Sequence, residues 1–162
     1  IFLLSGCMTE NRLKSLLEPA AEQAGVRFVD LLLRGNRGST VLEVFVDTVD
    51  GVSADELALV SSSLGEILEE EALLKGAYTL IVSSPGLDRP IRFPWQYTRH
   101  IGRSVEATVT AQTDDAEGVQ HRVTGVIEAN DDSVLTISLG GERVTIAHEH
   151  ILEAHIIASL RD

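Results

Sequence analysis

Cationic and aromatic side chains are concentrated in one short stretch of the chain, residues 83–104. This stretch holds four arginines against one acid, and three of the seven aromatic residues of the chain. Guanidinium groups pair with phosphate, aromatic rings stack on bases, and both residue types are enriched in protein interfaces. The composition therefore indicates either a binding surface or a seam between two domains, in which the arginines pair with acidic neighbours. The residues concerned are Arg89, Arg92, Phe93, Trp95, Tyr97, Arg99 and Arg103.

The same stretch opens with an octapeptide that reads as a strand end running into a Pro-Gly turn. Its serines are able to bond local backbone groups, and each proline stiffens the chain beside it. The octapeptide has neither the spacing of a nucleophile elbow nor a phosphate-loop lysine after its glycine, so no serine-based active site is predicted. Its residues are Ser83, Ser84, Pro85, Gly86, Leu87, Asp88, Arg89 and Pro90.

The histidines offer a second kind of chemistry, since all five lie in the C-terminal half of the chain. Imidazoles two residues apart on a strand share a face, so His148 and His150, together with His155, resemble a set of metal ligands. The spacing is not that of HExxH, and no cysteine accompanies them. We expect structural or solvent-facing histidines, with no metal and no other cofactor. A metal-dependent hydrolase is the alternative.

The charge of the chain restricts its partners. A net charge of −12 argues against a general nucleic-acid binder, because such binding depends on Lys and Arg that neutralise phosphates. The charge is uneven, with +3 in residues 83–104 and −15 elsewhere, so a localised RNA contact is compatible with it. An acidic chain suits a basic protein partner, and a generic RNA-binding barrel is a further alternative. The single cysteine fits a reducing compartment, and no apolar run reaches the roughly 18 residues of a membrane span.

The order of the predicted elements divides the chain. Helical periodicity over residues 9–25 is followed by strand patterns at 26–34 and 40–47, which a short glycine-rich turn connects. That turn, Gly35-Asn36-Arg37-Gly38, matches the GXXG string of KH domains, but its place between two strands predicts a hairpin turn. Ser53 and Glu56 have the spacing of a capping box that opens a second helix.

A third strand at residues 78–84 completes the order α-β-β-α-β, which predicts two helices on a small three-stranded sheet. Five further strand patterns follow at residues 104–110, 122–129, 133–139, 142–147 and 153–158, and turn residues separate them. We therefore predict an α+β fold with an N-terminal α/β domain over residues 9–86, a junction over 87–103, and a small all-β barrel over 104–162. Residues 1–8 are predicted to be a non-native or disordered extension.

The octapeptide and its flanks resemble the signature of the bacterial ribosome maturation factor RimP family. That family's pattern runs roughly Tyr-x-Leu-Glu-Val-Ser-Ser-Pro-Gly-Leu-Asp-Arg-Pro-Leu, and residues 78–91 read Tyr-Thr-Leu-Ile-Val-Ser-Ser-Pro-Gly-Leu-Asp-Arg-Pro-Ile. Pro19 and Gly25 in the first helix also match, and the resemblance spans roughly residues 11–158. Two positions depart from the pattern: Ile81 replaces a usual Glu, and Glu153 stands where relatives often have Lys.

The resemblance implies a two-domain assembly factor whose C-terminal domain is an SH3-like barrel. It implies a cytoplasmic protein that helps the small (30S) ribosomal subunit mature, with no cofactor and no enzymatic turnover. It also implies that the barrel binds a basic small-subunit ribosomal protein, with a localised rRNA contact nearby. We expect a monomer that does not bind membranes. The candidate ribosome contacts are Arg34, Arg37, Arg89, Arg92, Trp95 and Arg99.

Overall fold

A computed structural model describes residues 2–36, 39–110 and 118–158. The chain divides into two compact units, Ile1–Pro85 and Gly86–Asp162. The first unit contains a three-stranded sheet with two α-helices, and the second contains a five-stranded antiparallel sheet. The predicted α+β class and the predicted order of elements in the first unit are confirmed.

The first unit has the element order α-β-β-α-β. Its elements are α1 (Phe2–Gln23), β1 (Arg27–Asn36), β2 (Ser39–Asp47), α2 (Ala54–Glu71) and β3 (Tyr78–Ser83). The sheet order is β1-β2-β3, in which β1 and β2 are antiparallel and β2 and β3 are parallel. The parallel pair follows from the crossover through α2, since parallel neighbours need a long connection between them.

Helix α1 begins at Phe2, seven residues before the start that the periodicity predicts. It therefore includes residues 2–8, for which the sequence predicted a non-native or disordered extension. Pro19 lies inside the helix, and Leu13 and Leu17 of the same helix are fully buried in the core of the first unit. The helix ends next to Gly25, whose positive φ of 88° suits the left-handed conformation that commonly follows a helix.

The β1–β2 connection is the predicted hairpin, because Asn36 pairs with Ser39 at its end. Gly35 has a φ of 110°, and a Cβ atom placed there would lie 2.0 Å from the carbonyl oxygen of Ser39. A side chain at this position is therefore excluded by both conformation and space. Gly35 and Asn36, the first half of the GXXG string, thus end β1 at this hairpin, in keeping with the position of the string between two strands.

Over residues 86–110 and 118–158, the second unit contains five strands and two short 3₁₀ helices. The strands are β4 (Ser104–Thr110), β5 (Gln120–Asn130), β6 (Val134–Leu139), β7 (Glu142–Ala147) and β8 (Ile151–Ile156). Their order in the sheet is β7-β6-β5-β4-β8, so the last strand returns beside the first, as in a small barrel. The 3₁₀ helices, Pro94–His100 and His148–His150, are elements that the sequence patterns did not predict.

The core of the second unit follows the alternation of its strands. In β4 the buried residues are every second one, Val105, Ala107 and Val109, and the intervening side chains are partly exposed. Ile127 and Ile137, which pair across β5 and β6, are fully buried in the same core. This period of two is the pattern from which the strands were predicted.

Candidate functional site

The signature octapeptide crosses the boundary between the two compact units. Ser83 is the last residue of β3, and the boundary falls between Pro85, which is buried, and Gly86. Gly86 has a φ of 65°, in the left-handed region that favours glycine. The chain leaves β3 through this Pro-Gly pair, and the bend that follows lies at residues 87–89 rather than at the pair itself.

The second half of the signature is attached to the second unit. Leu87 and Ile91 are half-buried against its hydrophobic core. The backbone N–H of Ile91 donates a 2.8 Å hydrogen bond to the carbonyl of Ala154 in β8. Asp88 is exposed, whereas Arg89 is half-buried. The apolar residues of the signature thus fix this segment on β8, and its charged residues lie between them.

Gln96 organises the segment that follows. It is buried, and its Oε1 accepts hydrogen bonds from the backbone N–H groups of Arg92 and Phe93, each at 2.8 Å. Both N–H groups belong to the residues directly before the 3₁₀ helix Pro94–His100, so this side chain folds back from the helix onto the backbone that enters it. A buried amide that satisfies two backbone donors holds the positions of Arg92 and Phe93.

Asn130 attaches the same 3₁₀ helix to the sheet. Its Nδ2 donates to the carbonyl of Pro94 at 2.9 Å and to Oγ1 of Thr98 at 3.0 Å. Asn130 is the last residue of β5, so these bonds join the helix to the end of that strand. We call residues 89–99 the cationic-aromatic segment. The hydrogen bonds of Gln96 and Asn130 attach this segment to the second unit.

The aromatic rings of this segment form two stacked pairs. Phe93 and Trp95 have ring centroids 6.2 Å apart and planes inclined by 10°. Tyr97 stacks on His148, with centroids 5.4 Å apart and planes inclined by 25°. Tyr97 is buried, which raises the pKa of its hydroxyl to about 12 because burial disfavours the phenolate. Tyr97 is thus a core residue, whereas Phe93 is 38% exposed.

An open groove of about 270 Å³ lies between this segment and the start of β8. Phe93 and Pro94 from this segment and Ile151 and Leu152 from β8 line the groove. Tyr97 and His148 also line the groove, together with Ile91, Arg92 and Glu153. Its lining combines aromatic and aliphatic side chains with a few charged ones, the composition that binding sites commonly show.

A β-bulge directs Leu152 toward solvent. Thr108 pairs with Glu153 and Val109 pairs with Ile151, so Leu152 is the extra residue on β8. Its side chain is 52% exposed, although the strand on which it lies is otherwise part of the core sheet. Bulges commonly re-aim a side chain next to functional sites, and here the result is an exposed apolar residue in the groove wall.

The candidate arginines are distributed over both units. Arg92 is exposed and lines the groove, whereas Arg89 and Arg99 are half-buried. Arg34 lies on β1 in the first unit, where it forms an ion pair with Glu43. Arg37 lies outside the residues that the structure describes. Three of the six candidates therefore lie in the short stretch of chain whose backbone Gln96 holds: Arg92, Trp95 and Arg99. Arg89 lies three residues before this stretch.

His100 ends the 3₁₀ helix in a buried position. Burial, with a further contribution from the charges of Arg99 and Arg103, lowers the pKa of its imidazole to about 4. Its Nδ1 is buried and has no hydrogen-bond partner within the described part of the chain. A neutral histidine at this point adds no charge beside Arg99 and Arg103.

The other histidines do not converge on a metal site. His148 Nε2 lies 2.9 Å from the carbonyl oxygen of Asp131, and His150 Nδ1 lies 3.2 Å from Oγ1 of Thr110. His155 Nε2 lies 2.8 Å from a carboxylate oxygen of Glu153. No group of three potential ligands suited to a metal ion occurs among residues 2–36, 39–110 and 118–158. The geometry gives no support to the hydrolase alternative.

Sequence reasoning missed the residues that shape the groove. Gln96, Asn130 and Leu152 were not candidates, because a glutamine, an asparagine and a leucine carry no chemical signature by themselves. The spacing of Gln96, three residues after the helix cap Phe93, is a capping signal that could have been recognised. The bulge at Leu152 has no comparable signal, since it depends on the register of two distant strands.

The comparison with known families agrees with the signature. Residues 16–88 match the sequence model of the RimP N-terminal domain, a range that covers the elements of the first unit from the second half of α1 onward. The chain is therefore a two-unit α+β protein that carries a RimP N-terminal domain. This match to the first unit supports the resemblance to the RimP family that the octapeptide predicted. Among the described helices, none has the length and apolar character needed to cross a membrane.

Proposed function

We propose that this protein binds the immature small (30S) ribosomal subunit and assists its assembly. The observation that carries the proposal is the match to the RimP N-terminal domain over residues 16–88. The match includes the octapeptide except for its last two residues, Arg89 and Pro90. The family is one of non-catalytic ribosome maturation factors. The protein would accordingly act by binding, without a cofactor and without turnover, in the cytoplasm and as a monomer.

The direct partner proposed for the second unit is a basic small-subunit ribosomal protein. Residues 86–162 contain seven arginines, no lysine and twelve acids, which gives this unit a charge of −5. Opposite potentials accelerate encounter with a cationic protein and disfavour nonspecific RNA binding. The same charge argues against the alternative of a generic RNA-binding barrel.

A localised rRNA contact is proposed for the cationic-aromatic segment. Arg89, Arg92 and Arg99 lie within eleven residues of chain that contain no acid, and Trp95 lies between them. Gln96 and Asn130 fix the backbone of this segment, so its side chains project from a preformed support. Arg34 and Arg37, at the hairpin of the first unit, are proposed as a second contact.

The proposed function is tested in cells from which the gene for this chain has been deleted. We expect sucrose-gradient profiles to show fewer complete ribosomes and an excess of free small subunits with immature rRNA ends. Expression of the intact chain should restore the profile, and maturation of the large-subunit rRNA should be unaffected in the deletion strain. A normal gradient profile in the deletion strain would count against a role in small-subunit assembly.

A further inference from the structure

Two partly exposed apolar side chains line the groove of the second unit. Phe93 is 38% exposed and Leu152 is 52% exposed. Each is held in place: Phe93 by its stack on Trp95 and by the hydrogen bond to Gln96, and Leu152 by the bulge in β8. Exposed apolar residues that share one groove, unlike apolar residues scattered singly over a surface, are typical of a site that binds a partner.

The size of the groove favours side chains over a small molecule. Its volume of about 270 Å³ is below the roughly 300–1,000 Å³ typical of small-molecule pockets. One or two side chains of an extended segment would fill it. Part of the groove lining is aromatic, because the buried Tyr97 and the His148 ring stacked on it both line it. An aromatic lining suits an aliphatic or proline side chain.

The charges at the rim favour a cationic partner. Glu153 lines the groove, and Glu149 follows the lining residue His148 in the second 3₁₀ helix. Their side chains are 60% and 81% exposed. Arg92 is the one cation among the lining residues, all of which are described. Two exposed carboxylates repel phosphate groups, so the rim fits lysine or arginine side chains better than RNA.

We infer that this groove binds an extended, lysine- or arginine-containing segment of a protein, with one apolar side chain seated between Phe93 and Leu152. The cationic side chains on either side of that anchor would face Glu149 and Glu153. This inference rests on the proposed function and refines it, because it assigns the basic ribosomal partner to one groove. It also assigns distinct tasks to the segment: Phe93 contacts protein, and the neighbouring arginines contact rRNA.

The test uses the full-length chain and fluorescent 20-residue peptides that tile all proteins of the small subunit. Fluorescence anisotropy should identify a few peptides that are basic and carry an apolar anchor. Leu152→Ala and Phe93→Ala should each weaken their binding by about tenfold or more, as expected for central interface residues. Val126→Ala is the matched control, since Val126 is 40% exposed on β5 and lies outside the groove. The affinity of this variant for the peptides should remain within twofold of that of the unchanged chain.

A second pair of variants tests the charge of the rim. The double change Glu149→Gln with Glu153→Gln should weaken peptide binding several-fold and reduce its dependence on salt. The control double change Glu106→Gln with Glu142→Gln removes the same charge from β4 and β7 and should have little effect. Circular dichroism and thermal unfolding establish that every variant is folded.

The outcomes separate this inference from the proposed function. Peptide binding that Leu152→Ala and Phe93→Ala leave unchanged would overturn the groove assignment. The absence of peptide binding would also overturn it, and sedimentation of the chain with immature subunits would then show that the proposed function stands without it. Binding of a uridine oligonucleotide that Leu152→Ala abolishes would make the groove an RNA site. Failure of both peptide binding and subunit binding would remove the inference together with the function on which it rests.

Discussion

Gln96 and His100 show that single residues within the 3₁₀ helix have separate tasks. Gln96 accepts two backbone hydrogen bonds and so fixes the backbone at Arg92 and Phe93. His100 is buried beside Arg99 and Arg103, and its lowered pKa keeps it uncharged at neutral pH. The first residue positions the candidate surface, and the second makes the stability of the unit depend on pH.

The stability of the second unit should fall as the pH is lowered from 6.5 to about 4. Folding lowers the pKa of His100 from 6.5 to about 4, so between these values the unfolded chain binds a proton that the folded chain does not. The stabilising contribution is complete above pH 6.5 and is lost progressively toward pH 4. Thermal unfolding at half-unit pH steps measures this loss.

His100→Leu provides the control for this titration. The variant cannot bind the proton, so its unfolding midpoint should decline less over the same pH range than that of the original chain. NMR titration of the imidazole gives the direct reading, with a midpoint near pH 4 expected. A midpoint at or above 6 would show that His100 is not held neutral by its surroundings.

Reversing the charges of Arg89, Arg92 and Arg99 to Glu should weaken binding to immature small subunits by at least tenfold. Each reversal replaces an attraction for rRNA phosphate with a repulsion. The matched control reverses three exposed arginines elsewhere: Arg12 on α1, Arg122 on β5 and Arg143 on β7. Equal losses in both triple variants would indicate an effect of net charge alone. Unchanged binding by a folded Arg89, Arg92 and Arg99 variant would leave the segment with a structural role only.

Helix α2 has a favourable first turn and an unfavourable last turn. Its N-terminus carries the predicted capping box, in which Ser53 Oγ accepts from the Glu56 N–H and the Glu56 carboxylate accepts from the Ser53 N–H. These hydrogen bonds lower the pKa of Glu56. At the other end, residues 69–71 are all Glu, which places negative charge at the negative pole of the helix dipole. The helix remains because Val60, Leu64 and Leu68 are buried.

Ala72→Gly should stabilise the first unit. Ala72 caps α2 with a φ of 47°, the left-handed region in which glycine has no steric penalty, so we expect a gain of about 0.5–1 kcal/mol. Ala58→Gly is the control: Ala58 is exposed in the middle of the same helix, where glycine costs about 1 kcal/mol. Chemical denaturation measures both. A loss of stability in Ala72→Gly would contradict the assigned cap geometry.

At the level of elements, regular structure was predictable and irregular structure was not. The β4 and β7 boundaries agree with the sequence patterns at both ends, because alternating burial is a local signal. The 3₁₀ helix Pro94–His100 has too few residues for a periodic pattern, and proline-rich sequence predicted only a junction. The start of β8 was predicted two residues late, since the bulge at Leu152 interrupts the alternation there.

For the molecule as a whole, the sequence gives the charge of each segment but not the position of that segment in the fold. A net charge of −12 conceals a segment of residues 83–104 that carries +3. The structure shows that this segment belongs chiefly to the second unit, where tertiary hydrogen bonds from Asn130 fix it. Such bonds join residues more than thirty positions apart, and sequence patterns do not report them.

The residue types of the candidate site were therefore predictable from the sequence, and the groove that they line was not. The arginines and aromatic residues were identified from composition, and the family from one octapeptide. The groove was not, because it requires both the stacked pair Phe93–Trp95 and the bulge of β8 to be in place. The sequence predicted which side chains are available for binding, and folding determines which of them face a common groove.

Sedimentation of the purified chain with small subunits in moderate salt tests the central claim most directly. Immature subunits, mature subunits and an unrelated RNA of similar length are compared at equal concentration. The proposed function predicts that the chain pellets with immature subunits at least several-fold more than with mature ones, and only weakly with the RNA. Equal binding to both kinds of subunit, or no binding to either, would contradict it.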